Sequence, residues 1–182
     1  VVVRDVNLLT NKPVLYVLNV DENYFKATSV ASGSYGAEAP LNLPFLLPDT
    51  RYQIPISIKL ESEIVEMSAD DQKLFLEELG LKQSGLDRLI AKCYELLNLI
   101  TFLTTGEKET RAWTVHRGAK APQAAGVIHT DFEKGFIRAE VISYQDFVAC
   151  GSEAAARDAG KLRVEGKDYI MQDGDVCHFR VS

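Results

Sequence analysis

Cysteine is scarce in this 182-residue chain, and the three present, Cys93, Cys150 and Cys177, are odd in number and far apart. Without a C-x-x-C pair there is no zinc site or disulfide framework to read, and the thiols fit reduced, partly core-packed side chains. Long apolar runs are missing too. No window approaches the roughly 18 residues that a bilayer-spanning helix needs, so no membrane partner is expected. The opening Val1-Val2-Val3-Arg4-Asp5 lacks the basic segment and apolar stretch of a secretory signal. It begins inside an apolar run without a methionine, which carries the expectation of a piece cut from something longer. Surplus positive charge is also absent. The net charge of -6 disfavours a global grip on nucleic acid and leaves room only for a local basic patch. Finally, there is no phosphate loop. Gly160-Lys161 comes nearest to G-x-x-x-x-G-K-S/T, but the chain has Ala155 and Leu162 where that pattern needs Gly and a hydroxyl residue.

What is present suffices for one solid core or two small ones, with 46% hydrophobic and 25% charged residues. Thr10-Asn11-Lys12-Pro13 reads as a turn. Val14 to Leu18 is a continuous apolar run, predicting a strand buried on both faces as in a helix-covered parallel sheet. It ends at Asn19-Val20-Asp21-Glu22, at the carboxyl end of the strand, where α/β sheets bind ligands. Residues 26–52 carry Gly33, Gly36, Pro40, Pro44 and Pro48, keep no helical period, and read as loop. Gln53 to Ser57 is a short strand, with Pro55 marking an edge or a start. Ala69 to Leu79 is a helix stopped at Gly80. Ser84 with Asp87 resembles a helix cap, and Leu86, Leu89, Ile90, Cys93, Leu96, Leu97 and Ile100 recur at helical spacing.

From about Leu99 the period changes. Ile100–Thr104 and Thr110–Val115 form a hairpin, Pro122–Thr130 a helix, and Phe136–Ser143 a third strand. Tyr144–Cys150 and Glu153–Ala159 are short helices, Leu162–Glu165 is a strand, Asp173-Gly174-Asp175 a turn, and Val176–Val181 the last strand. The order ββαβ…ββ within about 80 residues fits an α+β β-grasp, or ubiquitin-like, fold.

Three groups of residues bear on function. Asn-Val-Asp-Glu at 19–22 is a variant of the Asn-Lys-x-Asp motif of GTP-binding proteins, whose Asp accepts from guanine N1–H and the 2-amino group. Glu22 is longer by a methylene, and adenine offers neither donor, so the reason to prefer guanine is lost. Four residues alone favour an ordinary polar loop after a strand. His129-Thr130-Asp131 has no metal-ligand spacing and fits a structural histidine at a helix end. Lys108, Arg111, His116, Arg117 and Lys120 gather positive charge beside Trp113, the only tryptophan. They fit RNA contact by phosphate pairing and stacking or, with Glu107 and Glu109 interleaved, a solvated face.

Leu9 to Glu22, Arg111-Ala112-Trp113-Thr114-Val115, Ala121 to Ile137, Gly166 to Ile170 and Asp173 to Val176 closely resemble the YchF subfamily of Obg-like ATPases. The resemblance runs nearly end to end and is weakest over 26–52, where the family has a helix. It implies an α/β remnant of a P-loop G domain at 1–98, with the loop 26–52 and a helix at 86–98, then a TGS domain at 99–182. Asn19, Val20 and Glu22 match the family's altered base-recognition motif, which goes with ATP over GTP, and Ser57, Ile58 and Lys59 fall where the last G-domain loop nears the base. The TGS domain is similar to those of threonyl-tRNA synthetases and stringent-response enzymes, which share Ile-His-Ser or Ile-His-Thr at the same helix end. His129 is thereby carried to an RNA-contacting face. The resemblance implies a cytoplasmic parent that binds and hydrolyses ATP with Mg²⁺ and partners ribosomes or translation factors. This piece would hold no catalytic residue and bind no nucleotide tightly. The rival expectation is a non-catalytic RNA or protein interaction module built on the TGS domain.

Overall fold

The structure, a computed structural model, describes residues 12–21, 23–25, 53–106 and 109–182. The expected loop over 26–52 and two expected site residues, Glu22 and Lys108, lie outside the described residues. The chain forms two compact units, Val1–Leu96 and Leu97–Ser182.

In the first unit, β1 (Tyr16–Asn19) pairs in parallel with β2 (Gln53–Ile56), from Tyr16 opposite Gln53 to Asn19 opposite Ile56. β2 is buried throughout, but β1 alternates and leaves Val17 48% exposed. The expectation of a strand buried on both faces is therefore corrected: among the described residues β1 has one neighbouring strand, and one of its faces lies open. Three helices follow: α1 (Ile58–Glu66), α2 (Ala69–Glu78) and α3 (Gly85–Leu96). Ser68 starts α2 by accepting the Asp71 N–H. Gly80, at φ +69°, ends it, because that conformation lets the Leu81 N–H reach the Leu76 carbonyl at 2.9 Å and the Gly80 N–H reach Glu77 at 3.0 Å. Ser84 accepts the Asp87 N–H at 3.0 Å, and the Glu61 carboxylate of α1 takes those of Gly85 and Leu86 at 2.7 and 3.1 Å. Three orphan donors of α3 are thus satisfied, two from another helix. A Cβ at Gly85 would come within 2.7 Å of Glu61, so the contact needs glycine. α3 stops at Leu96, short of the expected 98, with Asn98 at φ +54°. Phe25, Leu60 and Leu79 form this unit's small core cluster.

The second unit is a five-stranded sheet ordered β4-β3-β7-β5-β6. β3 (Leu99–Thr105) and β4 (Thr110–His116) make the expected hairpin. α4 (Ala121–Ile128) and α5 (Thr130–Lys134) lead to β5 (Phe136–Ser143); α6 (Tyr144–Cys150) and α7 (Glu153–Asp158) lead to β6 (Arg163–Glu165) and β7 (Asp175–Val181). β7 lies inside the sheet, antiparallel to β5 and parallel to β3. The helix expected over Pro122–Thr130 breaks at His129, whose φ of -157° and ψ of 138° are extended. That residue closes α4 and opens α5, its ring accepting the Asp131 N–H. The core lies on one sheet face, where Ile100, Phe102, Val115, Val141 and Cys177 meet Ala121, Ala124 and Ala125 of α4. The three alanines let the helix sit close. Alternation turns Leu103, Thr105, Glu140, Ile142, Val176 and His178 to the other face. Truncating Phe102, which has no exposed surface, to Ala should cost about 3–5 kcal/mol, read as a lowered denaturant midpoint.

Candidate functional site

The first group of expected site residues gathers where β1 ends. The parallel register sets Asn19 beside Ile56, and the Val20 N–H donates to the Ile56 carbonyl at 2.9 Å. Buried Ser57 then turns the chain into α1. The Ile58 N–H, one of α1's orphan donors, reaches across to Asn19 Oδ1 at 3.2 Å. Asn19 is thereby oriented: its carbonyl oxygen faces the helix, and its amide nitrogen keeps two N–H groups for anything that approaches the strand end. Asn23 donates from its backbone and side chain to Asp21 Oδ1, at 2.9 and 2.6 Å, and this Asx turn fixes the chain just after Val20. Arg88 braces β2 from beneath, donating to the Pro55 carbonyl at 2.7 Å with its guanidinium 5.9 Å from the Phe25 ring centre. Asn19, Val20, Ser57, Ile58 and Lys59 are brought together.

The second group is spread out. Arg111 lies 4.2 Å over the ring of Trp113, whose indole N–H donates to Thr104 at 2.9 Å. His116 ends β4, and Arg117 follows with its backbone N–H on the Asn98 carbonyl. Lys120 starts α4 and pairs with Asp168 at 2.7 Å, an engagement that keeps the Asp168 carboxyl below its ordinary range. His129 stands beyond the other end of α4, about 12 Å along an eight-residue helix. Its side chain is 60% exposed, and its Nδ1 accepts the Asp131 N–H at 3.2 Å, leaving Nε2 outward.

A third group escaped the sequence. On the sheet face away from α4, Arg138 stands opposite Arg180 and Glu140 opposite His178. Glu140 is buried and takes Nε and Nη2 of Arg180 at 3.2 and 3.1 Å, Nη2 of Arg157 at 3.3 Å, and lies 3.7 Å from Arg138. The Arg180 fork, helped by the charge of Arg157, holds the Glu140 carboxyl below the usual carboxylate range. The alternation of Phe136–Ser143 and Val176–Val181 was readable; the register that brings their charges together was not.

A carboxylate with a depressed pKa contributes stability that is complete above the unfolded value of about 4.3 and lost as pH falls through the folded value. Glu140→Gln should therefore cost about 1–3 kcal/mol near neutrality, discounted because the guanidiniums are half-exposed. The gap to wild type should close on acidification below about pH 4 in melts at stepped pH.

Comparison with known proteins follows the same outline. Residues 99–182 match the family model YchF-GTPase_C, described as "Protein of unknown function (DUF933)". The chain is 48% identical over 180 residues to the ribosome-binding ATPase YchF of Bacillus subtilis, covering 99% of this chain and 48% of that protein. It is 47% identical over 187 residues to the Haemophilus influenzae protein of the same name, covering 99% and 47%. The solved structure of the Schizosaccharomyces pombe YchF GTPase superposes with a TM-score of 0.69 at 35% identity, over 95% of this chain and 44% of that one. The fold is thus a mixed α/β one, similar to that of Obg-like GTPases. The chain spans about half the length of the curated relatives it matches. Along nearly its whole length the chain is similar to YchF proteins, and its residues 99–182 match that family's C-terminal model.

Proposed function

We propose that the first unit is the base-recognising end of a G domain that binds and hydrolyses ATP, and that the second is a β-grasp TGS domain docking the protein on ribosomes in the cytoplasm. The hydrogen bond from the Ile58 N–H to Asn19 Oδ1 carries the nucleotide reading. It leaves the Asn19 amide nitrogen as a donor beside the strand end, and such a donor fits the N7 acceptor of either purine. Asn19 therefore positions a purine without choosing between them. The choice falls to the fourth motif residue, where Glu22 lacks the short carboxylate reach that rewards guanine. Val20, Ser57, Ile58 and Lys59 would border the same base. Mg²⁺ and phosphate-loop amides, when bound, supply the charge stabilisation of phosphoryl transfer; this chain's own residues hold and orient the base.

The ββαβ…ββ order, with α4 laid across one face of a mixed five-stranded sheet, supports the β-grasp assignment. The relatives named ribosome-binding ATPase support the ribosome as partner. The exposed histidine between α4 and α5, with Arg111, His116, Arg117 and Lys120, supplies groups for an RNA or protein contact by the TGS domain.

Because no phosphate loop occurs within these 182 residues, the purified chain should show no ATP turnover in a phosphate-release assay and yet co-sediment with ribosomes. In a relative's full-length protein carrying the same motif, the change equivalent to Glu22→Asp should narrow the ATP over GTP preference by roughly tenfold, about 1.4 kcal/mol. An unchanged preference measured by nucleotide titration would remove the fourth position from the account.

A further inference from the structure

The block of charge around Glu140 belongs neither to the strand-end site nor to the basic residues along β4 and α4. Arg138, Arg157 and Arg180 converge on one carboxylate from two neighbouring strands and a helix. With Glu153, which Arg157 also touches at 3.3 Å, the block holds three positive charges against two negative, and His178 stands across from Glu140. Arg138 and Arg180 are directly opposite one another, an arrangement that repels unless an anion lies between them. Glu140 satisfies that need from below. It does not saturate the guanidiniums, which together carry roughly fifteen N–H donors against about four carboxylate lone-pair sites. Their side chains remain 51%, 54% and 43% exposed. Glu140 thus acts as an anchor that fixes three planar forks while most of their donors face outward.

We propose that Arg138, Arg157 and Arg180 form a binding site for backbone phosphate groups of RNA, pre-oriented by Glu140. The identity of the RNA rests on the ribosome reading above; the anion chemistry does not. Convergent forks match a compact group with several oxygens at one point, and guanidinium–phosphate pairs are bidentate. An acidic peptide instead spaces its same-side carboxylates about 7 Å apart along a strand. The neighbouring positions on this face, Leu103, Thr105, Ile142 and Val176, include no aromatic side chain, and Phe102, Phe136 and Phe179 belong to the opposite, core face. The exposed imidazole of His178, opposite Glu140, is the ring this face offers, so recognition is chiefly of the backbone and its shape, with little sequence preference.

The test titrates the whole 182-residue chain into a labelled RNA duplex of about 16 base pairs between about 50 and 200 mM salt, followed by anisotropy. Arg138→Gln is the informative variant: at 3.7 Å its tie to Glu140 is the loosest, and Arg157 and Arg180 still pair with the carboxylate. It should raise Kd about 3–10-fold and reduce the slope of log K against log salt by about 0.7–1. Arg138→Lys should restore the slope but not the full affinity, Lys82→Gln, an exposed position between α2 and α3 outside every site described, should behave as wild type, and urea melts should find all of them folded. RNA binding unaffected by both Arg138→Gln and Arg157→Gln would overturn the site. So would a chain that pellets with ribosomes but binds no duplex, or one that binds polyglutamate through Arg138 in place of RNA; in each case ribosome association itself stands. Loss of ribosome pelleting with duplex binding and its Arg138 dependence intact would instead overturn the ribosome reading and leave the phosphate site in place.

Discussion

Three residues, Asp173, Gly174 and Asp175, hold the second unit closed. The Asp173 carboxylate accepts the Thr101 N–H of β3 at 2.8 Å, and the Gly174 N–H returns a bond to the Thr101 carbonyl at the same distance. The Gly174 carbonyl takes the Tyr144 N–H that opens α6. Asp175, 2% exposed, accepts the Tyr169 hydroxyl at 2.8 Å and the Gln172 N–H at 2.9 Å, with Arg163 of β6 at 3.5 Å. Burial, with Asp175 alongside, pushes the Tyr169 hydroxyl up to about 12, so it remains a neutral donor. Gly174 at φ +80° makes the turn without the strain a side chain would add. One turn thus fastens the first strand, a helix start and the two last strands. The register it fixes also sets Arg138 against Arg180 and Glu140 against His178.

The two candidate sites use opposite physics. At the end of β1 the working group is a neutral amide, oriented by one backbone donor from a helix that would otherwise lack a partner. Orientation there costs little and confers direction. Around Glu140 the working groups are charges, and the buried carboxylate keeps three mutually repelling guanidiniums in place. The first arrangement suits reading the edge of a flat heterocycle; the second suits gripping an anion whatever it is attached to.

Much of the architecture was legible because it is encoded locally. Gly80 ends α2, Ser84 caps α3, the hairpin spans Leu99 to His116, and the strands after it follow in the expected order. The misses were long-range or conformational. Ile58 to Glu61 gave no clear signal, and the helix there is set by Ser57 leaving β2 in an extended conformation. Val14 to Leu18 reads as fully buried from its run of apolar residues, whereas burial depends on what lies beside it. The break at His129 depends on a ring nitrogen taking a backbone donor two residues on, which composition does not reveal. At the candidate site, Asn19 was legible from its motif, but its bond to Ile58 spans 39 positions. The arginine block was invisible because it needs the β5–β7 register, which no local pattern specifies.

The interior position of β7 has a consequence for how the polypeptide is made. Thr101 and its partner Asp173 are 72 residues apart, and the strand that separates the two hairpin-like halves follows its sheet partners in chain order. During synthesis, β3 and β5 each present an unpaired inner edge until that strand emerges. At about 5–20 residues per second the exposure lasts several seconds. Non-local parallel pairing is slow to form, and open strand edges are templates for pairing with other chains. The nascent unit is therefore most vulnerable to aggregation before β7 emerges, and that strand converts two loose β-pairs into one continuous sheet.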